Sequence, residues 1–158
     1  MALISTSLIK TRLTPDKNFK TLETIAFQVK TETGNMVIIG IYRPPRALCG
    51  EYQLLLESEL SEVCNWVSLQ SNFVVVIGDL NLDRMRPDKS EGKLLLDLEV
   101  EQGFQCLITK PTRVEKRGTI ITKSLIDVLL SNRPDIFQYS GNYYPCLSDH
   151  ALIYGVLK

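Results

Sequence analysis

The sequence predicts a layered α/β domain on three observations. Short β-branched runs recur along the chain, two amphipathic stretches with apolar residues three and four apart lie between them, and each stretch is about one helix long. At 158 residues the chain suits one domain that can bury a core, so residues 1–158 read as a single unit. With 44% hydrophobic and 23% charged residues, it lacks the bias of disordered, collagen-like or coiled-coil chains.

The start MALISTSLIKTR has its charges after its apolar part, which is not the layout of a secretory signal. LETIAFQVKTETGNMVIIGIYRPP then predicts a β-hairpin turning at Thr33-Gly34-Asn35. Ile25, Phe27 and Val29 alternate with polar residues in its first strand, and the second is apolar on both faces. Pro44-Pro45 ends that strand, because proline cannot donate a ladder hydrogen bond.

Residues 51–69 predict a helix whose apolar face holds Tyr52, Leu55, Leu56, Leu60, Val63, Trp66 and Val67. Glu51, Glu57, Glu59 and Glu62 are expected on the opposite, solvated side. FVVVI at Phe73–Ile77 has the continuous apolar character of a strand buried on both faces, and it delivers the chain to GDLNLD. A second helix is expected over 91–102 on Leu94, Leu95, Leu98 and Val100. A polar loop over 109–119 should lead to a strand at 125–130, then one near 136–139 and a last one over 151–157. Every apolar run is interrupted before the ~18–20 residues of a spanning helix, so no membrane partner is expected.

Cys49, Cys64, Cys106 and Cys146 form no CxxC or CxxH pair, which speaks against structural zinc. Without a signal peptide a disulfide framework is not implied, and the four read as reduced, mostly buried thiols of an intracellular protein. The 18 Lys+Arg balance 18 Asp+Glu, which argues against bulk electrostatic attachment to nucleic acid. That balance hides segments: residues 1–50 sum to +4, 51–70 to −4, 71–100 to −2 and 101–158 to +2. Basic loops around Arg43, Arg46, Lys110, Arg113, Lys116 and Arg117 are either solvated faces or the flanks of a negatively charged site.

Three segments set a carboxylate at the end of a β-run or within one. Asp79 follows FVVVIG with Asn81 two residues on, Asp127 interrupts SLIDVLL, and Asp149 stands beside His150, the chain's single histidine, before the last strand. A charge beside buried strands is costly unless paired, hydrogen-bonded or metal-bound. Taken singly, Asp79–Asn81 could be an Asx turn, Asp127 a carboxylate satisfied by backbone N–H groups, Ser148-Asp149 a turn cap and His150 structural. Together they suggest chemistry: a carboxylate can order a histidine beside phosphate, and Asp and Asn can position water and metal.

GDLN, LIDVL and SDH, in that order and near these spacings, resemble the endonuclease/exonuclease/phosphatase superfamily of metal-dependent phosphoesterases. IYRPP at Ile41–Pro45 and PTR at Pro111–Arg113 narrow the likeness to the apurinic-endonuclease-like endonuclease domain of non-LTR (LINE-type) retrotransposons. The resemblance implies a DNase I-like layered α/β sandwich that nicks target DNA, leaving a 3′-hydroxyl to prime reverse transcription. It implies that Asp79 activates the attacking water, that Asn81 and Tyr42 contact the scissile phosphate, and that Asp127 orients His150. His150 would stabilise the phosphate in the transition state, and Asp149 would bind Mg²⁺ or Mn²⁺. Arg43 and Arg113 are the expected DNA contacts. The implied partners are DNA and the remainder of a polyprotein bearing a reverse transcriptase, with the chain itself a monomer, nuclear where it acts on chromosomal DNA.

Members of this family carry an N-terminal segment with an early asparagine and a glutamate, the principal metal ligand. The chain is therefore expected to be incomplete at its N-terminus, weak or inactive alone, and to expose a sheet edge or apolar face. Glu23 and Glu32 fall at surface positions of the hairpin and are not expected to replace that glutamate. The alternatives are a non-catalytic or DNA-binding remnant and a phosphoesterase of another branch acting on a small substrate.

Overall fold

The computed structural model describes residues 10–32, 34–145 and 148–158, so Thr33 of the expected turn and Cys146 lie outside the described residues. A six-stranded mixed sheet has the order β1-β2-β3-β4-β8-β5, built from β1 (Lys10–Leu13), β2 (Glu23–Thr31), β3 (Gly34–Tyr42), β4 (Val74–Asp79), β5 (Gln105–Cys106) and β8 (Asp127–Ser131). Two helices, α1 (Gly50–Gln70) and α2 (Ser90–Gln102), flank β4 in sequence. β3 and β4 run parallel, with α1 as the crossover between them, whereas β8 lies antiparallel to β4.

Alternation along the strands sorts the two faces. Val37, Ile39, Val74, Val76, Val128 and Leu130 share one face and are almost wholly buried, in one cluster with Leu56, Leu60, Val63, Leu95 and Leu98 of the helices. Burying each such side chain contributes about 1.5–3 kcal/mol. The opposite face carries Ile25, Ile38, Ile77 and Leu129, and a second sheet of β9 (Phe137–Tyr143) and β10 (Leu152–Leu157) packs at its β8 end. There a Cβ on Gly155 would come within 2.7 Å of the Phe137 ring on the paired strand and 3.3 Å of Leu129 of β8, so the missing side chain makes room for both.

Several expectations need correction. The predicted loop over 109–119 is half of a hairpin, β6 (Arg113–Arg117) with β7 (Ile120–Ser124), turning at Gly118 with φ 62°. Its run of charged residues suggests a loop, but an exposed two-stranded ribbon has no buried face to impose an apolar pattern. Glu59 is not on the solvated side of α1: it is 1% exposed, and its carboxylate accepts hydrogen bonds from the Lys20 and Thr21 amides and the Thr21 hydroxyl. Val100 is 83% exposed, outside the core face of α2. Cys49 is exposed, while Cys64 and Cys106 are buried free thiols. An exposed apolar face does occur: Tyr139, Tyr143, Leu152, Tyr154 and Val156 line one side of the β9–β10 ribbon. Among the described residues no helix is long and apolar enough to cross a membrane.

Candidate active site

The strand register builds the site. Glu23 pairs with Tyr42, Tyr42 with Asp79, and Asp79 with Asp127, so four polar side chains form one row across the ends of β2, β3, β4 and β8. Gly78 makes this approach feasible, since a Cβ there would lie 1.9 Å from the Ile41 carbonyl oxygen. Beyond β4 the chain alternates: Leu80 and Leu82 enter the core, leaving Asp79, Asn81 and Asp83 at the surface side. Asp83 accepts from the amides of Met85 and Leu125, and Arg84 forms a paired contact with Glu99 of α2 at 2.7 and 2.9 Å. The turn is thereby tied to both β8 and α2.

Asp79 Oδ1 accepts the Asn81 amide at 2.9 Å, so the Asx turn is real, and Asn81 sits at φ 49°. Burial pushes the Asp79 carboxyl above its ordinary value; the Asn81 hydrogen bond works against this and the Asp127 charge adds to it. The Asn81 side-chain amide donates to the Arg43 carbonyl at 2.8 Å. Tyr42 is 42% exposed in the same row.

His150 comes from the far side. An antiparallel bridge to Arg113, the Val114 amide donating to the Asp149 carbonyl and the Ala151 amide donating to the Thr112 carbonyl hold residues 149–151 beside β6. The imidazole Nδ1 then lies 3.0 Å from Asp127 Oδ2 and 3.2 Å from Oδ1. With Nδ1 engaged, Nε2 is the nitrogen available to a ligand.

The two arginines and Asp149 depart from expectation. Arg43 is 1% exposed and its guanidinium donates to main-chain carbonyls, so it is not a surface DNA contact. Its position beside Pro44-Pro45 suggested an exposed loop, yet the chain folds its side chain beneath the Asp79–Asn81 turn. Asp149 is not free to receive a cation: Arg113 Nε donates to its Oδ2 at 2.6 Å, which also holds the carboxyl below its ordinary value. Arg113 is correspondingly committed, although a third of its side chain remains exposed.

Thr112 has a role that the sequence does not single out. Fully buried, it accepts hydrogen bonds on its hydroxyl from the amides of Ile126 and Asp127, at 3.1 and 3.0 Å, while its carbonyl receives Ala151. One residue thus ties the Asp127 strand to the His150 strand. The only signal was its central place in PTR. Tyr144 is a second omission: its hydroxyl donates to the Pro111 carbonyl at 2.8 Å.

Asp79, Asp127 and His150 each offer a ligand atom, and these atoms all lie within 4.8 Å of one another. Two facing carboxylates suit a hard divalent cation such as Mg²⁺ or Mn²⁺, and the imidazole nitrogen is better tolerated by Mn²⁺. A histidine ordered by one carboxylate, with a second carboxylate and an amide opposite, is also an arrangement able to hold phosphate and activate water.

The fold is the DNase I-like layered α/β fold of endonuclease/exonuclease/phosphatase proteins. A family model described as endonuclease-reverse transcriptase matches residues 36–154, and the chain belongs to that family. Its structure is similar to the endonuclease domain of TRAS1, a telomere-specific non-LTR retrotransposon, with TM-score 0.78 and 17% identity over 99% of this chain and 71% of that one. It is similar to the 3′ phosphatase NExo from Neisseria bound to a product DNA hairpin, with TM-score 0.61 and 15% identity over 84% of this chain and 64% of that one. A β toxin of Staphylococcus aureus with bound magnesium ions gives TM-score 0.57 and 15% identity over 85% and 57% of the respective chains. No curated protein matches the sequence significantly.

Proposed function

We propose that this chain is the nuclease part of a retrotransposon polyprotein, hydrolysing one DNA strand to leave a 3′-hydroxyl for a linked reverse transcriptase. The observation that carries the reading is the convergence of Asp79, Asp127 and His150 within 4.8 Å in a chain of the endonuclease-reverse transcriptase family. The DNA bound to NExo and the retrotransposon origin of the TRAS1 domain support DNA as the substrate. The ribbon β6–β7, with Lys116, Arg117 and Lys123 exposed beside Arg113, supplies cations for a phosphate backbone.

Asp79, facing the reacting centre beside Asp127, orients the attacking water and takes its proton. Asn81 and the Tyr42 hydroxyl hold water and phosphate. Asp127 orients the His150 ring, and Nε2 meets the charge that develops on the phosphate oxygen. Mg²⁺ or Mn²⁺, held by Asp79 and Asp127 with Asp149 once released from Arg113, would supply Lewis-acid stabilisation of the leaving 3′-oxygen. Action on chromosomal DNA would put the protein in the nucleus.

The test is nicking of supercoiled plasmid with Mn²⁺ and with Mg²⁺. Weak conversion to relaxed circles whose ends a polymerase extends, lost with EDTA and with His150→Ala, is the expected result. Nicking that persists at full rate in the His150→Ala protein would overturn the assignment.

A further inference from the structure

Arg43 is the largest of the fully buried side chains, at 1% exposure, and among the described residues no carboxylate pairs with it. Its guanidinium is spent on neutral acceptors. Nη1 donates to the carbonyls of Leu80 at 3.3 Å and Asn81 at 3.0 Å, Nη2 donates to the Arg46 carbonyl, and Nε donates to the Tyr52 hydroxyl at 3.2 Å. The main chain of the same residue grips the same turn. Arg43 N donates to the Asp79 carbonyl at 2.9 Å, and the Arg43 carbonyl accepts the Asn81 side-chain amide at 2.8 Å.

The turn so held has an unusual backbone. Asn81 is the one non-glycine residue with positive φ among the described residues, at 49°. Asparagine adopts left-handed backbone more readily than other residues with a Cβ, and surrounding contacts decide whether it is held there. A buried cation facing two consecutive carbonyls of that turn is such a contact. Only the planar fork of arginine reaches both carbonyls and two further acceptors at once; an ammonium is a point donor on a flexible stem.

We propose that Arg43 is a positioning residue of the catalytic site, whose guanidinium and main chain together lock the Asp79–Asn81 turn so that the Asp79 carboxylate and the Asn81 amide face the substrate. The inference rests on reading the site as a phosphodiesterase.

The test compares the natural chain with Arg43→Lys and Arg43→Gly in plasmid nicking, DNA binding and ¹H–¹⁵N spectra. A shift of the order of 1 Å at a reacting group costs about 10²-fold in rate, so the turnover of Arg43→Lys should fall by about 10–100-fold. Its DNA dissociation constant and the salt dependence of binding should stay within twofold, which a lost phosphate contact would not allow. The Asp79, Leu80 and Asn81 amide resonances and the Asn81 side-chain pair should move, with the Trp66 and β9–β10 resonances in place. Added methylguanidinium, but not methylammonium at equal ionic strength, should restore both the spectrum and turnover of Arg43→Gly. Unchanged turnover in Arg43→Lys, or loss confined to DNA affinity, would overturn the proposal. Absence of nicking by the natural chain would count against the nuclease reading alone. The spectra then decide: moved Asp79–Asn81 resonances support the lock and unmoved ones refute it.

Discussion

Asp79 and Asp127 stand directly opposite each other across antiparallel strands β4 and β8. Like charges in opposite register are destabilising, and the pair is kept where a hydrophobic ladder rung would be more stable. On Asp79 the consequence is visible: burial first, and the Asp127 charge in addition, raise its proton affinity against the hydrogen bond from Asn81. Such a rung marks a candidate functional site.

Replacing Asp79 by Asn should therefore stabilise the metal-free protein while abolishing nicking. The sign follows from linkage. A carboxyl whose folded value lies above its unfolded value costs stability as pH rises from the unfolded value, near 3.9, through the folded one, and the cost persists at neutral pH. Asp79→Asn should raise Tm by a few degrees at pH 7 and not below pH 3. Thermal unfolding by circular dichroism across pH checks this; an equal gain at both pH values would mean that the charge is not its cause.

Divalent cation should stabilise the natural protein, because neutralising the Asp79–Asp127 rung favours the folded state. At about 100 times Kd the gain is about 2.7 kcal/mol, and Asp127→Asn should remove most of it. The Arg113–Asp149 ion pair makes a sharper expectation, since a cation held by Asp149, as proposed, would compete with Arg113 for that carboxylate. Arg113→Ala should tighten Mn²⁺ binding in isothermal titration calorimetry, whereas Asp149→Ala should weaken it. If Arg113→Ala leaves Mn²⁺ affinity unchanged, Asp149 takes no part in the metal site.

The thiols should separate by reactivity. Burial pushes Cys64 up to about 12 and raises Cys106, whereas Cys49 is exposed at the start of α1. Because the thiolate is the reactive species, brief iodoacetamide treatment at pH 8 should label Cys49 and leave Cys64 and Cys106 unmodified until denaturant is added. Peptide mapping by mass spectrometry reads the result, and Cys64 labelling at the Cys49 rate would contradict the burial.

Periodicity carried most of the fold into view. The β2–β3 hairpin, both helices and the buried strand β4 are segments whose apolar pattern is imposed by a core face, and the sequence shows that pattern directly. The site was legible where polar residues interrupt such segments, as Asp79, Asp127 and His150 do. Arg43, Thr112 and Glu59 were not, for one physical reason. Each is a polar residue buried by contacts distant in sequence, to Asn81, Asp127 and Thr21 respectively. No local pattern distinguishes a satisfied buried polar group from an exposed one. The ribbon β6–β7 was hidden for the opposite cause, having no buried face to leave a pattern.

Glu59 gives the test of that buried polar class. It lies inside α1, yet it closes the segment before β2 by accepting from Lys20 N, Thr21 N and the Thr21 hydroxyl at 2.8, 2.8 and 2.6 Å. Burial opposes its charge, but the Thr21 hydroxyl and the two amides outweigh it and hold the carboxyl below its ordinary value. A depressed carboxyl contributes stability that is present above its unfolded value and lost as pH falls through the folded one. Glu59→Leu leaves three donors without an acceptor and should cost about 2–4 kcal/mol at pH 7. Glu59→Gln, which keeps the shape and one acceptor, should cost less and flatten the decline of stability between neutral pH and pH 3. Urea titrations at the two pH values measure both. Equal losses for the Leu and Gln proteins at pH 7 would show that the helix surface, not the hydrogen bonds to Lys20 and Thr21, sets the role of Glu59.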